Sequence, residues 1–150
     1  MKPRSVRLAP AADHARDKRE AAAQRLAEQQ ERLRAAEHQL SELRRYRAEY
    51  ALDAAAAVSV TALLNRQQFV ERIDGAIAQQ LLEVERQRRL LDQAGANWRA
   101  AHARERALDS VIGQAREQER KSEERREQND IDERMQHRTT RRPGQQTSSS

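Results

Sequence analysis

The 150-residue sequence contains no cysteine, and one Trp, one Phe and two Tyr are its only large rings. The lack of cysteine excludes disulfides and thiolate metal sites and leaves the redox compartment open, so we expect the cytoplasm by default. No apolar run approaches the roughly 18 residues of a membrane span, and no signal-peptide core follows Met1. A domain of this length normally buries about two thirds of its unfolded surface, and this chain has too few bulky apolar residues for such a core.

Charged residues make up 35% of the chain, and the hydrophobic 37% is dominated by Ala and Leu. Together with only four Gly and three Pro, this composition is typical of long helices and coiled coils. The net charge is +5, but acidic and basic residues are interspersed along most of the chain. This pattern indicates a solvated helix surface rather than a phosphate-binding one.

Two heptad series run along the sequence. Counting from Ala12 as position a, the first series has a mostly apolar seam, with Leu26, Leu33 and Leu40 at a and small or apolar residues at most d positions. The second series has an apolar residue at every a position, namely Leu63, Val70, Ile77, Val84, Leu91 and Trp98. The two series are out of phase, so the chain must turn between them.

We therefore predict an all-α fold, with two long helices in an antiparallel coiled-coil hairpin. Pro10 suits a first helical turn, and Ser59 is a plausible N-cap for the second helix. The predicted single domain spans 1–136 and has helix 1 at about 10–52, a turn at about 53–59 and helix 2 at about 60–136. The second helix would overhang the first beyond about residue 106, and the tail 137–150 reads as disordered.

A specific register follows if large residues face small ones across the seam. In this register Leu26 and Leu33 lie against the stems of Gln87 and Gln80. The other predicted pairs are Leu43 with Val70, Leu40 with Ile73, Ala36 with Ile77, Ala22 with Leu91, Ala15 with Trp98, and Tyr50 with Leu63.

The sequence offers no catalytic constellation, because a two-helix hairpin has no pocket in which polar groups converge. The histidines at 14, 38, 102 and 137 lack metal-ligand spacing, and the four glycines are isolated. We therefore expect no enzyme activity, no catalytic residue, no metal, no cofactor and no small-molecule ligand.

A flank of the hairpin near the turn is more informative. In an antiparallel pair the g positions of both helices lie on the same side, and here they carry Tyr46 and Phe69. With adjacent d residues they form two matched ladders, which we call the two-ladder face: Gln39, Leu43, Tyr46 and Tyr50 on helix 1, and Phe69, Ile73, Ala76 and Gln80 on helix 2. The seam covers g positions only partly, so we expect both rings to be accessible. They either form a docking patch or lean over the hairpin's own core.

The chain resembles the flagellar export protein FliJ family, which is related to the YscO-type proteins of injectisomes. The resemblance covers about residues 8–135. It rests on four features and on their order along the chain. These are the segment 39–50 at the end of helix 1, the segment 69–79 that begins Phe69-Val70-Glu71-Arg72-Ile73, the single Trp98, and the late segment 124–133.

The resemblance implies a hairpin similar to the stalk of rotary ATPases, which binds the flagellar export ATPase ring and contacts the membrane export gate and export chaperones. It implies a place in flagellum biogenesis, motility and chemotaxis, on the cytoplasmic side of the inner membrane through protein partners. The two-ladder face matches the gate-contacting face. The candidate ATPase contact is the region where both termini meet, including Arg16, Arg19 and Arg25. Two alternatives stay open: a self-assembling coiled coil that dimerises through the overhang, and a nucleic-acid-binding coiled coil that uses the basic residues of 134–142.

Overall fold

The structure is a computed structural model, and it describes residues 2–54 and 59–141. These residues form two helices, α1 (Arg4–Ala54) and α2 (Val60–Arg141), and include no strand. Side chains from early in α1 contact side chains from late in α2, and those near the end of α1 contact those near the start of α2. The predicted all-α fold, an antiparallel hairpin of two long helices, is confirmed.

Both helices begin at residues that satisfy their first amides. The carbonyl oxygen of Pro3 accepts from the backbone N–H groups of Val6 and Arg7, each at 3.1 Å. At the start of α2, the Ser59 hydroxyl accepts from the N–H of Ala62 at 3.2 Å, which confirms the predicted N-cap. The amides of Val6 in α1 and Ala62 in α2 therefore have acceptors within the chain.

The helix bounds differ from the predicted ones. Helix α1 begins at Arg4 and continues through Pro10, which therefore lies inside the helix rather than in its first turn. Helix α2 ends at Arg141, so residues 137–141, predicted to be disordered, are helical. There the hydroxyl of Thr139 donates to the Met135 carbonyl at 2.9 Å, and no proline occurs between Pro10 and Pro143. Residues 55–58 of the predicted turn and residues 142–150 of the predicted tail lie outside the described residues.

The chain forms two compact units, each containing part of both helices. The turn unit comprises Arg16–Ala103, and the terminal unit comprises Met1–Ala15 with Arg104–Ser150. The predicted single domain stays a prediction.

In the turn unit, a hydrophobic core follows the predicted heptads. Ala36, Leu40 and Val84 are buried, and Leu33 and Ile77 pack against them. Two glutamines are buried in the same seam, where Gln29 Nε2 donates to the side-chain oxygen of Gln87 and also to its carbonyl at 3.3 Å. The core is thin and contains an amide layer.

The register differs from the predicted one by about one helical turn. Gln87 bonds to Gln29 rather than lying against Leu26, and Gln80 Nε2 donates to the carbonyl of Ala36 at 3.0 Å, one turn beyond Leu33. The physical reason is that the two buried amides satisfy one another, whereas the prediction matched side-chain volumes alone.

In the terminal unit, the first residues of α1 pack on α2 well beyond residue 106, where the pairing was predicted to end. Both oxygens of the Glu119 carboxylate accept from Ser5, from its N–H at 3.1 Å and from its hydroxyl at 2.7 Å. Ala15, Ile112 and Ala115 are buried. From Arg120 to Thr139 every residue is exposed, so the predicted overhang of α2 exists but begins later.

Candidate docking face

The aromatic rings of the two-ladder face lie at the surface of the turn unit. Tyr46 is 47% exposed and Phe69 is 42% exposed, which confirms the predicted accessibility of both rings. Phe69 also packs across the hairpin against Tyr50, with 4.6 Å between ring centroids and a 45° tilt. Phe69 therefore packs against α1 while part of its ring stays exposed. This contact fits both interpretations of the rings, as a docking patch and as cover for the hairpin's own core.

Tyr46 is held by charged neighbours on its own helix. The guanidinium carbon of Arg45 lies 5.8 Å from the ring centroid, within the range of a cation–π contact. Arg45 also bonds Glu42 at 2.8 Å and approaches Glu49 at 3.9 Å. These contacts orient the cation beside the ring and leave nearly half of the tyrosine exposed.

The other members of the face divide into exposed and supporting residues. Gln39 and Ala76 are exposed, whereas Leu43 is half-buried and Ile73 is buried. The half-buried Gln80 has its amide occupied by the carbonyl of Ala36. Ile73 and Gln80 thus stabilise the hairpin beneath the face.

The interhelix ion pairs lie on the opposite side of the seam. Arg47 pairs with Asp74, whose hydrogen bond raises the pKa of the arginine, and Arg88 pairs with Glu37 at 3.4 Å. Asp74, Glu37 and Arg88 all occupy e positions of the predicted heptads, and Arg47 occupies the adjoining a position. The g positions 39, 46, 69 and 76 carry uncharged residues, so these two interhelix ion pairs and the two exposed rings lie on different sides of the seam.

Further apolar residues are exposed near the turn and were missed by the heptad reading. Leu52 and Val60 are 76% and 75% exposed, and Leu64 is also exposed. Leu63, predicted to lie in the seam opposite Tyr50, is 44% exposed, and Tyr50 packs on Phe69 instead. A signal was present in the sequence: residues 54–65 carry no charge in a chain that is 35% charged.

The three candidate ATPase contacts all lie on α1 within the turn unit. Arg16 and Arg25 are exposed. Arg19 occupies a seam position, is half-buried, and has one guanidinium nitrogen 3.9 Å from Glu20. Burial makes Arg19 the least available of the three to a partner.

No group of three His, Cys, Asp or Glu side chains within residues 2–54 and 59–141 is arranged to hold a metal ion. Neither α1 nor α2, over the residues described, contains a stretch long and apolar enough to cross a membrane.

A model of the flagellar FliJ protein family matches residues 4–144, nearly the whole chain. The chain belongs to the FliJ family. Neither a curated protein nor a solved structure was found to match it. Membership makes this FliJ-family chain a component of flagellar protein export and of flagellum biogenesis, in a family of structural export components.

Proposed function

We propose that the chain binds the flagellar export ATPase ring and links it to the cytoplasmic region of the membrane export gate and to export chaperones. It would act at the flagellar base, on the cytoplasmic side of the inner membrane, and would be held there by its protein partners. The hairpin would serve as a stiff connector without an active site of its own.

The observation that carries this proposal is the two-sidedness of the turn unit. Interhelix ion pairs occupy one side of the seam, and exposed rings of Tyr46 and Phe69 occupy the other. Aromatic residues are enriched at protein interfaces, and a few such residues supply most of the binding energy. The two-ladder face is therefore our candidate surface for the export gate.

The test is a binding measurement with the purified chain, the export ATPase and the cytoplasmic region of the gate from the same organism. The Tyr46→Ala, Phe69→Ala double variant should lose about 30-fold or more in gate affinity and keep its ATPase affinity. Leu81→Ala, Leu82→Ala is the matched control, because these leucines are also exposed on α2 but lie outside the face. This control should bind both partners normally.

A second pair of variants tests the ATPase contact. Reversing the charges of Arg16 and Arg25 should weaken ATPase binding and leave gate binding unchanged. Reversing Arg32 and Arg44, which are also exposed on α1 in the turn unit, should affect ATPase binding less. Absence of binding to either partner by the unmodified chain would refute the connector function. Equal loss of gate binding in the Leu81, Leu82 control would refute the assignment of the face.

A further inference from the structure

The end of the hairpin near the turn carries apolar side chains that the fold leaves exposed. Leu52, near the end of α1, is 76% exposed, and Val60, at the start of α2, is 75% exposed. Leu63 and Leu64, in the first turns of α2, are exposed as well. We call these four residues the apolar tip. Single apolar residues scattered over a surface are ordinary, whereas a group of them at one end of a unit indicates a contact with something else.

The tip residues lie on more than one side of the hairpin. In the predicted heptads Leu52 occupies an f position, on the side of α1 that faces away from α2. Val60 and Leu64 occupy e and b positions, on an outer flank of α2. A flat partner surface would contact the back of α1 or the flank of α2, but not both. A fluid layer can surround the end of the hairpin on all sides.

The tip is uncharged and too small for a protein interface of its own. Residues 54–65 carry no charge, and the polar residues Ser59 and Thr61 among them are neutral. Four side chains are far fewer than the roughly 20–30 residues that each partner supplies to a stable protein interface. Binding to a lipid surface requires no matching shape, because it scales with the apolar area buried and with the attraction to anionic lipids. A lipid surface therefore fits the tip better than a protein does.

The residues next along α1 match the layers of a lipid surface. Tyr46 precedes Leu52 by six residues, about 9 Å of helix, and Arg44 precedes it by eight, about 12 Å. Interfacial segments bury their apolar side about 5–10 Å into the boundary between headgroups and acyl chains. With the hairpin axis normal to the surface, Tyr46 lies at the level of the headgroups, where tyrosine is enriched in membrane proteins, and Arg44 lies just outside it.

The charges around the tip suit anionic headgroups. The stretch 44–72 contains five arginines and three acidic residues. Arg44 on α1 and Arg72 on α2 are both exposed. Basic residues beside an apolar segment are attracted by the negative surface potential of anionic lipids. Asp53, which follows Leu52, opposes deep entry, because a carboxylate in the acyl region is costly, and it limits the contact to the surface.

We propose that the apolar tip inserts into the surface of a membrane that contains anionic lipids. Leu52, Val60 and Leu64 enter the boundary between headgroups and acyl chains, and the neighbouring arginines contact the headgroups. This contact adds to the protein contacts proposed above and does not depend on them. None of the tip residues belongs to the two-ladder face, so lipid contact and gate contact can be removed separately.

The first test is flotation of the full chain with vesicles of phosphatidylethanolamine and phosphatidylglycerol. The Leu52→Gln, Leu64→Gln double variant should bind them about tenfold or more weakly, because two side chains that bury apolar area become polar. Leu81→Gln, Leu82→Gln is the matched control, since these leucines are also exposed in the turn unit but lie away from the tip. The control should bind like the parent, and circular dichroism should show the same helix content for all three chains.

The arginines are tested by comparing two kinds of vesicle. Arg44→Gln, Arg72→Gln should weaken binding to the anionic vesicles about fivefold or more, because two attractions to the negative surface are lost. The same variant should bind vesicles of phosphatidylcholine alone as the parent does. Added salt should reduce the difference between parent and variant on anionic vesicles, since it screens the exposed charges.

Insertion itself is measured with an environment-sensitive dye on a single thiol, because the chain has no cysteine of its own. Thr61→Cys places the dye at the tip without removing an apolar side chain, and Gln79→Cys places it at an exposed position of α2 outside the tip. Anionic vesicles should shift the emission to shorter wavelength at position 61 and leave it unchanged at position 79.

Several results would overturn the membrane contact. They are absence of parent binding to the anionic vesicles, an equal loss in the Leu81, Leu82 control, and binding without an emission shift at position 61. Weaker binding of the gate's cytoplasmic region by the Leu52→Gln, Leu64→Gln variant, measured without lipid, would also overturn it by placing the tip in a protein interface. Failure of the parent to bind the gate would refute the proposed function and leave the vesicle result standing.

Discussion

The amide pair between Gln29 and Gln87 is predicted to set the register of the hairpin. Both side chains are buried, and Gln87 Nε2 additionally donates to Glu83 at 2.8 Å. No buried side-chain nitrogen or oxygen among the described residues lacks a partner, so this layer is fully satisfied. Replacing either glutamine by leucine removes one partner and leaves the other amide incompletely bonded in the seam.

The size of the effect follows from these contacts. A buried polar group left without its partner costs about 1–3 kcal/mol, whereas replacing both partners by apolar groups is nearly neutral or stabilising. The backbone carbonyl of Gln87 still accepts from Gln29 at 3.3 Å, which places the Gln87→Leu penalty toward the low end. We expect the double variant to be about 1–3 kcal/mol more stable than the sum of the two single effects predicts.

The assay is urea unfolding followed by circular dichroism for the parent, the two single variants and the double variant. The matched control cycle combines Gln29→Leu with Gln80→Leu. Gln80 bonds the carbonyl of Ala36 instead, one heptad away from Gln87. Its coupling to Gln29 should be within about 0.5 kcal/mol of zero. A coupling for Gln29 and Gln87 that is no larger than the control value would refute the role of the pair in the register.

Two more predictions concern the turn unit. Ile77→Asp should abolish most of the helix signal at room temperature, because it places a charge against the core of Ala36, Leu40 and Val84; a signal equal to that of Tyr46→Ala would contradict this. The bonds that Arg86 and Gln87 donate hold the pKa of Glu83 at about 2, below its ordinary 4.5. Their stabilising contribution is therefore complete above pH 4.5 and is lost as the pH falls toward 2. Carboxyl NMR should show Arg86→Ala raising that pKa, whereas a pKa near 4.5 in the parent would contradict the assignment.

The seam of the hairpin could be predicted from the sequence because burial follows the heptad period. Of the second series, all a residues except Leu63 are at least half-buried, and so are Leu33 and Leu40 in the first. Leu63 departs from this pattern: it is 44% exposed, and its predicted partner Tyr50 packs on Phe69.

The register and the helix start could not be predicted by the same means. Heptads fix which side of a helix faces its partner but not how far one helix is shifted along the other. That shift depends on the hydrogen bonds of the Gln29 and Gln80 side-chain amides. The spacing of apolar residues carries no information about these bonds. The start of α1 depends on Ser5 and Glu119, which are 114 positions apart in the sequence. Pro10 would ordinarily argue for a later start.

The two-ladder face was predicted in part. Its rings are accessible because g positions flank the seam, which periodicity alone indicates. The burial of Ile73 and the bond from Gln80 to Ala36 depend on the register, so which members support the face and which are exposed could not be read from the sequence.

The central claim, that the two-ladder face of the turn unit contacts the export gate, is tested most directly by crosslinking in cells of the chain's own organism. A photoreactive residue would be placed at position 46, on the two-ladder face, or at position 44, an exposed e position on the other side of the seam. The proposal predicts a crosslink to the gate from position 46 and little or none from position 44. Equal crosslinking from both positions, or gate crosslinks from position 44 alone, would contradict it.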